Sequence, residues 1–429
     1  MKLKGKKLLI MGGPALASEI VKSAKNMGVN TIVTDWYPVS KSPAKEIADE
    51  YEMVSTSDVK AVVDLIKRKK IDGVITGFTD STLQYYQKVC ELAGLPCYAT
   101  SEQIEISTNK EKFKELCRKF EIPVVEDYDI ILDRDSNMIG SIEFPVIVKP
   151  ADNSGARGIS ICNDKNELMI AYEKAKTFSD SKNVIIEKYI NAKEATIFYY
   201  LNKGEIILTG IGDRHTKKSQ EKTIPLPVAY TFPSKHLKTY INEMNQKVIK
   251  MFKSIGMAEG MIFIQAFVED GNFIFYEMGY RLTGTLEYKL MDAVLGINPL
   301  ELMIEFALTG KVKLEEKIMH LNPYWNKYGC NITLLSKPGR IGKIAGINEL
   351  LSMTEILDVF CSYKEGDVIP QTALGTLQQV IIRIFAIAQT KKELALVMNK
   401  IHNTIRVTSI KEENLLLDKF DIEEFYNDI

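Results

Sequence analysis

The stretch FPVIVKPADNSGARG, residues 144–158, decides how the rest of the chain is interpreted. It predicts a short β-branched strand that ends at Lys149 and is stopped by Pro150, because proline has no N–H to donate to a β-ladder. A loop of small residues follows, and residues 159–162 predict a returning strand. Such a loop can present backbone N–H groups to phosphates, and the lysine can add a point charge. We interpret the hairpin as a candidate triphosphate clamp; taken alone, the stretch also fits a plain tight turn beside a surface lysine.

The composition is that of an ordinary globular chain. Its 429 residues are enough for about three domains, with 45% hydrophobic and 26% charged residues. The formal net charge of −1 gives no electrostatic reason to expect a nucleic-acid partner. No apolar run approaches about 18 residues, so we expect no membrane span and no membrane partner. Six scattered cysteines without a Cys-x-x-Cys pair favour reduced thiols, and we expect a cytoplasmic protein.

The first hundred residues predict a doubly wound α/β domain. Residues 7–35 alternate strand, helix and strand, and residues 59–93 repeat the pattern. The turn Gly12-Gly13-Pro14 lacks the three-glycine dinucleotide fingerprint, so we favour loops at the strand ends that hold another ligand. Asp80 lies in a strand-to-helix loop. We expect it to cap the following helix, with contact to a substrate as the alternative.

The remainder changes to strands and hairpins. Residues 101–122 predict a linker followed by a helix that Thr108 caps. Residues 235–255 predict one helix, and the segments 261–268 and 272–277 predict a hairpin joined by an Asp-Gly turn. Residues 212–218 predict a polar, basic loop after a strand. The C-terminal part predicts an α+β unit with a glycine-rich turn at 339–346 and a terminal helix within 411–429.

A set of polar residues appears in a fixed order along the chain: Lys110, Lys149, Glu187, Glu194, Gln265, Glu277 and Arg281. Their order and spacing resemble those of the ATP-grasp superfamily of ATP-dependent ligases, which grip a nucleotide between two α+β subdomains. The resemblance covers nearly the whole chain and includes biotin carboxylase, the carbamoyl-phosphate synthetase large subunit and the L-amino-acid ligases. It implies an N-terminal pre-ATP-grasp domain at 1–106 and an ATP-grasp domain at 107–312, with a mobile lid at about 124–190. An α+β domain would follow at 313–429.

The resemblance implies a set of nucleotide-binding residues. Lys110 and Lys149 match the two lysines that contact ATP phosphates, for which a compact ammonium is suited. Glu187 matches the acceptor of the adenine amino group, and Glu194 the carboxylate that binds ribose hydroxyls. Backbone groups at Lys188 and Ile190 would complete the adenine edge. The full set is Lys110, Lys149, Ser154, Gly155, Ala156, Arg157, Gly158, Glu187, Lys188, Tyr189, Ile190 and Glu194.

The expected metal is Mg²⁺, with Mn²⁺ as an alternative. Gln265 and Glu277 match the magnesium ligands on two facing strands, and Mg²⁺ prefers hard oxygen ligands shared with substrate phosphates. The usual pattern after the second ligand is Glu-x-Asn-x-Arg, whereas this chain has Gly279 in place of the asparagine. One metal ligand is therefore missing. The resemblance then implies a changed second metal site or acceptor geometry. The alternative expectation is that Gly279 leaves room for a larger substrate or for a water ligand.

Three residues are candidates for the chemistry. Arg281 matches the arginine that contacts the carboxylate or acyl-phosphate, and its planar fork suits both oxyanions, with a surface salt bridge as the alternative. Arg214 would stabilise the transferring phosphoryl group. His215 would act as a base, with a structural role as the alternative. Residues 284–287 are expected to line the acceptor pocket or to form a helix N-terminus.

The resemblance implies a carboxylate–amine ligase that converts a small acid or amino acid to an acyl-phosphate and releases ADP and phosphate. Its partners would be small-molecule carboxylates and amines, and a homodimer is common in the superfamily. One alternative is an enzyme that activates bicarbonate, as carbamoyl-phosphate synthetase or a carboxylase does. The other is a nucleotide-binding protein without turnover, which the loss of a metal ligand at Gly279 suggests.

Overall fold

The computed structural model describes residues 3–128, 140–151, 157–217, 224–312 and 321–427. The predicted loop residues Ser154, Gly155 and Ala156 lie outside these ranges. Within them, no helix is long and apolar enough to cross a membrane. Four sheets and three apolar clusters organise the described chain.

A four-stranded parallel sheet begins the chain, in the order β3-β2-β1-β4. Strands β1, β2 and β4 are almost wholly buried, as is typical of a parallel sheet covered by helices, whereas the edge strand β3 is more exposed. The predicted doubly wound unit is confirmed. The strands are β1 Lys7–Met11, β2 Asn30–Thr34, β3 Glu50–Glu52 and β4 Gly73–Ile75, and the helices are Ala17–Asn26, Pro43–Ile47, Val59–Lys69 and Leu83–Ala93.

Two short helices, Ser101–Thr108 and Lys110–Lys119, follow this sheet. The predicted linker is wrong, because Thr100 and Gln103 form a capping box that starts the first helix. Thr108 does not cap the second helix; the side chain of Asn109 accepts from two backbone N–H groups there. Lys110 is therefore the first residue of that helix.

The opening stretch belongs to a small antiparallel sheet in the order β5-β8-β6-β7. Its strands are β5 Asp127–Tyr128, β6 Val146–Pro150, β7 Ser160–Cys162 and β8 Val184–Lys188, and the helix Lys165–Phe178 packs on one face. Ile147 pairs with Glu187, so Lys149, two residues further on, shares a sheet face with Glu187. We call this unit the lid sheet.

An eight-stranded antiparallel sheet forms the body of the protein, in the order β13-β12-β9-β10-β11-β14-β18-β16. Its strands come from both sides of residue 312, the predicted domain boundary, and the division into three domains stays a prediction.

Two predicted elements differ in the structure. The predicted helix 235–255 is two helices, and the predicted loop 212–218 is strand as far as Lys217. The strands of the eight-stranded sheet are β9 Lys193–Asn202, β10 Glu205–Lys217, β11 Leu226–Phe232, β12 Gly260–Glu269, β13 Asn272–Gly279, β14 Tyr328–Leu335, β16 Ile356–Cys361 and β18 Val380–Ala388; the helices are Leu237–Glu243, Asn245–Ser254, Tyr288–Leu295 and Pro299–Thr309.

The C-terminal part adds a three-stranded sheet in the order β17-β15-β19. The predicted glycine-rich turn at 339–346 is mostly strand β15, and the predicted terminal helix is confined to six residues. The elements are β15 Gly339–Ala345, β17 Val368–Ile369 and β19 Arg406–Ser409, with the helices Ile347–Leu351, Lys391–Thr404 and Ile422–Asn427.

Candidate active site

A cavity of about 420 Å³ lies where the lid sheet meets the eight-stranded sheet. Loops of the N-terminal sheet complete its wall, to which strand β18 of the eight-stranded sheet also contributes. Its size is within the usual range for a ligand pocket. The predicted residues that line it are Lys110, Lys149, Glu187, Lys188, Tyr189, Ile190, Glu194, Arg214, Gln265, Glu277 and Arg281; the described residues Arg157, Gly158 and His215 do not.

Glu187 lies between two buried lysines. Lys149 Nζ donates to the carboxylate over 2.6 Å, and Lys114 Nζ donates over 2.5 Å. Lys114 also contacts Asp127 on β5 at 2.5 Å. Burial alone would raise the pKa of Glu187, but the charges of Lys149 and Lys114 outweigh it and lower that pKa. Glu187 is therefore an ionised, hydrogen-bond-accepting group inside the cavity wall.

Lys149 has a lowered pKa because of its burial, which the charge of Glu187 only partly offsets. The nearby charges of Lys114 and Lys110 lower it further. Two lysines thus contact one carboxylate and the charge of Lys110 lies nearby, which gives a local concentration of positive charge suited to phosphate. Lys114 was not among our candidates, although it lies four residues after Lys110 on the same helix face.

The segment after β8 lines the cavity from residue 188 to residue 192. The N–H of Lys188 donates to Glu126 O over 3.0 Å, and that of Tyr189 donates to Pro145 O over 3.1 Å. These bonds fix the direction in which the chain leaves the lid sheet. The predicted adenine edge therefore follows directly from Glu187 along the cavity wall.

Glu194 and Arg214 are directly opposite each other on β9 and β10 and form a salt bridge. Tyr276 donates to Glu194 over 2.7 Å, and Arg214 Nε donates to the Tyr230 hydroxyl over 3.2 Å. Burial would lower the pKa of Arg214, but Glu194 and Tyr276 raise it well above its usual value. Arg214 is thus a permanent cation on the cavity floor, and its partner is the predicted ribose acceptor.

His215 lies on the other face of β10. Side chains alternate along a strand, so Arg214 and Thr216 line the cavity while His215 does not. Its Nε2 lies 2.9 Å from Thr231 Oγ1, and its ring packs 4.5 Å from that of Phe420. The predicted role of His215 as a base is therefore not supported by its position, and the structural alternative fits.

Gln265 and Glu277 face each other across β12 and β13. Both are half-buried and line the cavity, and both offer the hard oxygen ligands that Mg²⁺ prefers. Among the described residues, no group of three or more His, Cys, Asp or Glu side chains could hold a metal by itself. The pair fits a Mg²⁺ ion that takes its remaining ligands from phosphate and water.

Gly279 does not open the site to a substrate or a water ligand, so that expectation is wrong. It lies opposite Phe263, and a Cβ atom there would be 2.3 Å from Phe263 Cε1 and 2.4 Å from Cζ. The Phe263 ring therefore fills the space of the missing asparagine. The Arg281 guanidinium lies over the same ring, 5.1 Å from its centroid.

Arg281 is held in a two-point contact with Asp80. Its Nε and Nη2 each donate over 2.6 Å to one oxygen of that carboxylate, and Nη1 donates to Leu282 O over 3.0 Å. The expected cap is wrong: Asp80 lies in the 3₁₀ turn Asp80–Thr82, and no side chain caps the helix after it. The fork of Arg281 thus already binds a carboxylate bidentately, which is the geometry expected for a substrate acid.

The structure also resolves the predicted acceptor-pocket segment. Gly284 and Thr285 line the cavity, whereas Glu287 is fully buried beside it at the start of the helix Tyr288–Leu295. Glu287 accepts from the Thr283 and Thr285 hydroxyls, and burial raises its pKa. The cavity wall also includes Tyr230, Tyr276 and Arg383, which the sequence did not single out because no motif assigns a role to these positions.

Fold and site together have the ATP-grasp arrangement: a lid sheet and a larger sheet enclose a cavity that lysines, carboxylates and arginines line. The chain has the ATP-grasp fold. Residues 109–315 match the family described as the ATP-binding domain of the carbamoyl-phosphate synthase L chain. The chain spans only 27% to 28% of the carbamoyl phosphate synthase large chains that it matches.

Three known proteins illustrate the similarity. The 2-oxoglutarate carboxylase small subunit of Hydrogenobacter thermophilus is 24% identical over 341 residues, which cover 74% of this chain and 70% of that protein. The biotin carboxylase domain dimer of the 2-oxoglutarate carboxylase from the same organism, solved with MgADP, ADP and bicarbonate, superposes with a TM-score of 0.75 at 19% identity, covering 94% and 90% of the two chains. The L-amino acid ligase of Bacillus licheniformis superposes with a TM-score of 0.74 at 18% identity, covering 95% and 99%.

Proposed function

We propose that this protein is an ATP-dependent carboxylate–amine ligase that activates a small acid or amino acid as an acyl-phosphate. The observation that carries the proposal is the shared cavity lined by Lys149, Glu187, Gln265, Glu277 and Arg281. These residues come from the lid sheet, from the eight-stranded sheet and from the loop after β13, which the fold brings together. ATP-grasp proteins use ATP with Mg²⁺; for this chain, both ATP and Mg²⁺, or Mn²⁺ in its place, belong to the proposal.

The nucleotide would lie between the lid sheet and the eight-stranded sheet. Glu187 and the segment 188–190 would bind the adenine edge, and Glu194 the ribose. Lys110 and Lys149 would bind phosphate oxygens. Gln265 and Glu277 would hold the metal, which supplies charge neutralisation for the transferring phosphoryl group when bound.

The substrate acid would be bound by Arg281, in place of Asp80 or beside it. The two 2.6 Å contacts to Asp80 support this assignment, because a carboxylate already fits that fork. Arg214 would stabilise negative charge on the cavity floor. No side-chain nucleophile is required, since positioning and electrostatics account for this kind of phosphoryl transfer. An amine would then attack the acyl carbon and release phosphate.

The test is a screen for phosphate release with ATP and Mg²⁺ against pairs of amino acids, dicarboxylates and bicarbonate. We expect ADP and phosphate to form in equal amounts, and only when both an acid and an amine are present. The outcome against the proposal is the absence of ADP formation with every pair, although ATP binds.

The second candidate is activation of bicarbonate. A biotin carboxylase domain of similar fold was solved with bicarbonate, and this is the reason to test bicarbonate as a substrate. ADP release that depends on bicarbonate, with no amino acid present, would select this candidate over the ligase. A homodimer and a cytoplasmic location stay predictions; mass measurement in solution tests the first, and cell fractionation the second.

A further inference from the structure

Arg383 is a buried cation on the C-terminal wall of the cavity. It lies on β18, opposite Thr333 on β14 and Phe360 on β16. Its side chain is 5% exposed, and Nη1 donates to Thr333 Oγ1 over 2.6 Å. It lines the cavity on the same sheet as Arg214.

The two other arginines of the cavity each have a carboxylate partner, whereas Arg383 does not. Arg214 pairs with Glu194, and Arg281 pairs with Asp80. Within the ranges that the structure describes, no carboxylate oxygen lies within 4 Å of the Arg383 guanidinium. The structure shows no hydrogen-bond acceptor for the other N–H groups of Arg383 among those residues.

Glu287 forms no direct ion pair with Arg383. It is near enough to influence the pKa of the guanidinium, but one of its oxygens accepts from Thr283 and Thr285. The other oxygen, Oε1, is buried and has no hydrogen-bond partner among the described residues. Burial raises the pKa of Glu287 and lowers that of Arg383, so both groups are held in surroundings that disfavour their charged forms.

A buried guanidinium without a counter-charge is costly, because desolvation of an ion is repaid only by close and well-placed partners. The folded protein would be more stable with an apolar side chain at this position. The presence of Arg383 in the wall of a ligand-sized cavity therefore indicates that a bound anion supplies the missing partner.

We propose that Arg383 binds a carboxylate of the substrate pair that does not take part in the reaction. This inference rests on the proposed ligase function and adds a second anion subsite to it. Four strands separate β18 from the β12–β13 pair that holds Gln265 and Glu277, so an anion at Arg383 is not the one that receives the phosphoryl group. One guanidinium balances one negative charge, which favours a carboxylate over a doubly charged phosphate group.

The test uses Arg383→Met, with Arg340→Met as the matched control. Arg340 is an exposed arginine on β15, and its Nη1 donates to Gly366 O over 3.0 Å. The full-length protein with ADP and Mg²⁺ is titrated with L-amino acids and their amides, with dicarboxylates from malonate to adipate, and with inorganic phosphate. Thermal midpoints detect binding, and calorimetry gives the dissociation constant of each compound that binds.

We expect at least one carboxylate to bind the wild-type protein and Arg340→Met, and its amide to bind neither. In Arg383→Met the dissociation constant of that carboxylate should rise about 10- to 150-fold, as loss of a hydrogen bond to a charged group implies. The midpoint of unliganded Arg383→Met should not fall, because an apolar residue of similar length removes an unpaired buried charge. If that variant does not fold, Arg383→Lys replaces it and should also bind more weakly, since lysine lacks the fork.

Three results would overturn the proposal: no carboxylate binds the wild-type protein, the affinity is unchanged in the Arg383 variant, or phosphate alone depends on Arg383. The ligase function and the Arg383 subsite can be refuted independently of each other. If no pair yields ADP while carboxylate binding still depends on Arg383, the subsite stands without the ligase. If ADP forms and the KM for the acid and for the amine are unchanged in Arg383→Met, the ligase stands without the subsite.

Discussion

The contact between Gly279 and Phe263 predicts that the missing metal ligand cannot be restored by a single substitution. Gly279→Asn would place a Cβ 2.3 Å from Phe263 Cε1, more than 1 Å inside the 3.4–4 Å of ordinary contact. Overpacking of this kind costs about 1–3 kcal/mol, because the ring must leave its position. No positive φ is involved at Gly279, so backbone strain adds nothing.

Phe263→Ala opens the required space but loses a buried ring. The side chain is 6% exposed, and we expect a cost of about 3 kcal/mol, the lower end for a buried phenylalanine, because one side of the ring borders the cavity. The double variant Gly279→Asn/Phe263→Ala should then be more stable than the sum of the single changes by about 1–3 kcal/mol, since the clash is gone.

Urea denaturation of the four proteins measures this coupling, with Gly140→Asn as the control. A Cβ at Gly140 meets no atom of the described residues within 4 Å, and that change should alter the free energy of unfolding by less than about 0.5 kcal/mol. Additive single effects would refute the reasoning, because they would mean that the ring does not occupy the space of the asparagine. Tighter Mg²⁺-dependent ADP binding by the double variant would further link this position to the metal.

Lys149→Ala should lower ATP turnover about 100- to 1000-fold in a coupled ADP assay while the far-UV circular dichroism is retained, because Lys114 still pairs with Glu187; unchanged turnover would remove Lys149 from the site. His215→Ala should change kcat less than about threefold in the same assay, because its ring lies on the other sheet face against Phe420; loss of turnover in a folded variant would restore His215 as a catalytic residue. Burial lowers the pKa of His402 from 6.5 to about 4, so the unfolded chain binds more protons between these values and stability should fall as pH falls through that window, by up to about 3 kcal/mol. In denaturant titrations at several pH values, His402→Leu should lack this part of the pH dependence; an identical dependence would contradict the assignment.

The sequence alone determined the elements whose signals are local. Apolar runs and flanking glycines predicted the parallel sheet at the start of the chain, and the Asp-Gly turn predicted the hairpin of β12 and β13. The register of β6 and β8 then brings Lys149 and Glu187 to one sheet face, although they are 38 residues apart. Their order along the chain was enough to indicate the superfamily, because that order reflects the sequence of strands in the fold.

The tertiary structure alone decided which side chains meet. Asp80 was assigned to a helix cap from its position in a loop, yet it binds Arg281, which lies 201 residues away. Gly279 indicated open space, and the space is filled by Phe263 from the facing strand. Arg383 carries no motif and enters the cavity only because β18 joins the same sheet as β10. Local sequence determines backbone preference and the spacing of apolar residues; which charges become partners depends on strand pairing between distant segments, and that is set by packing of the whole core.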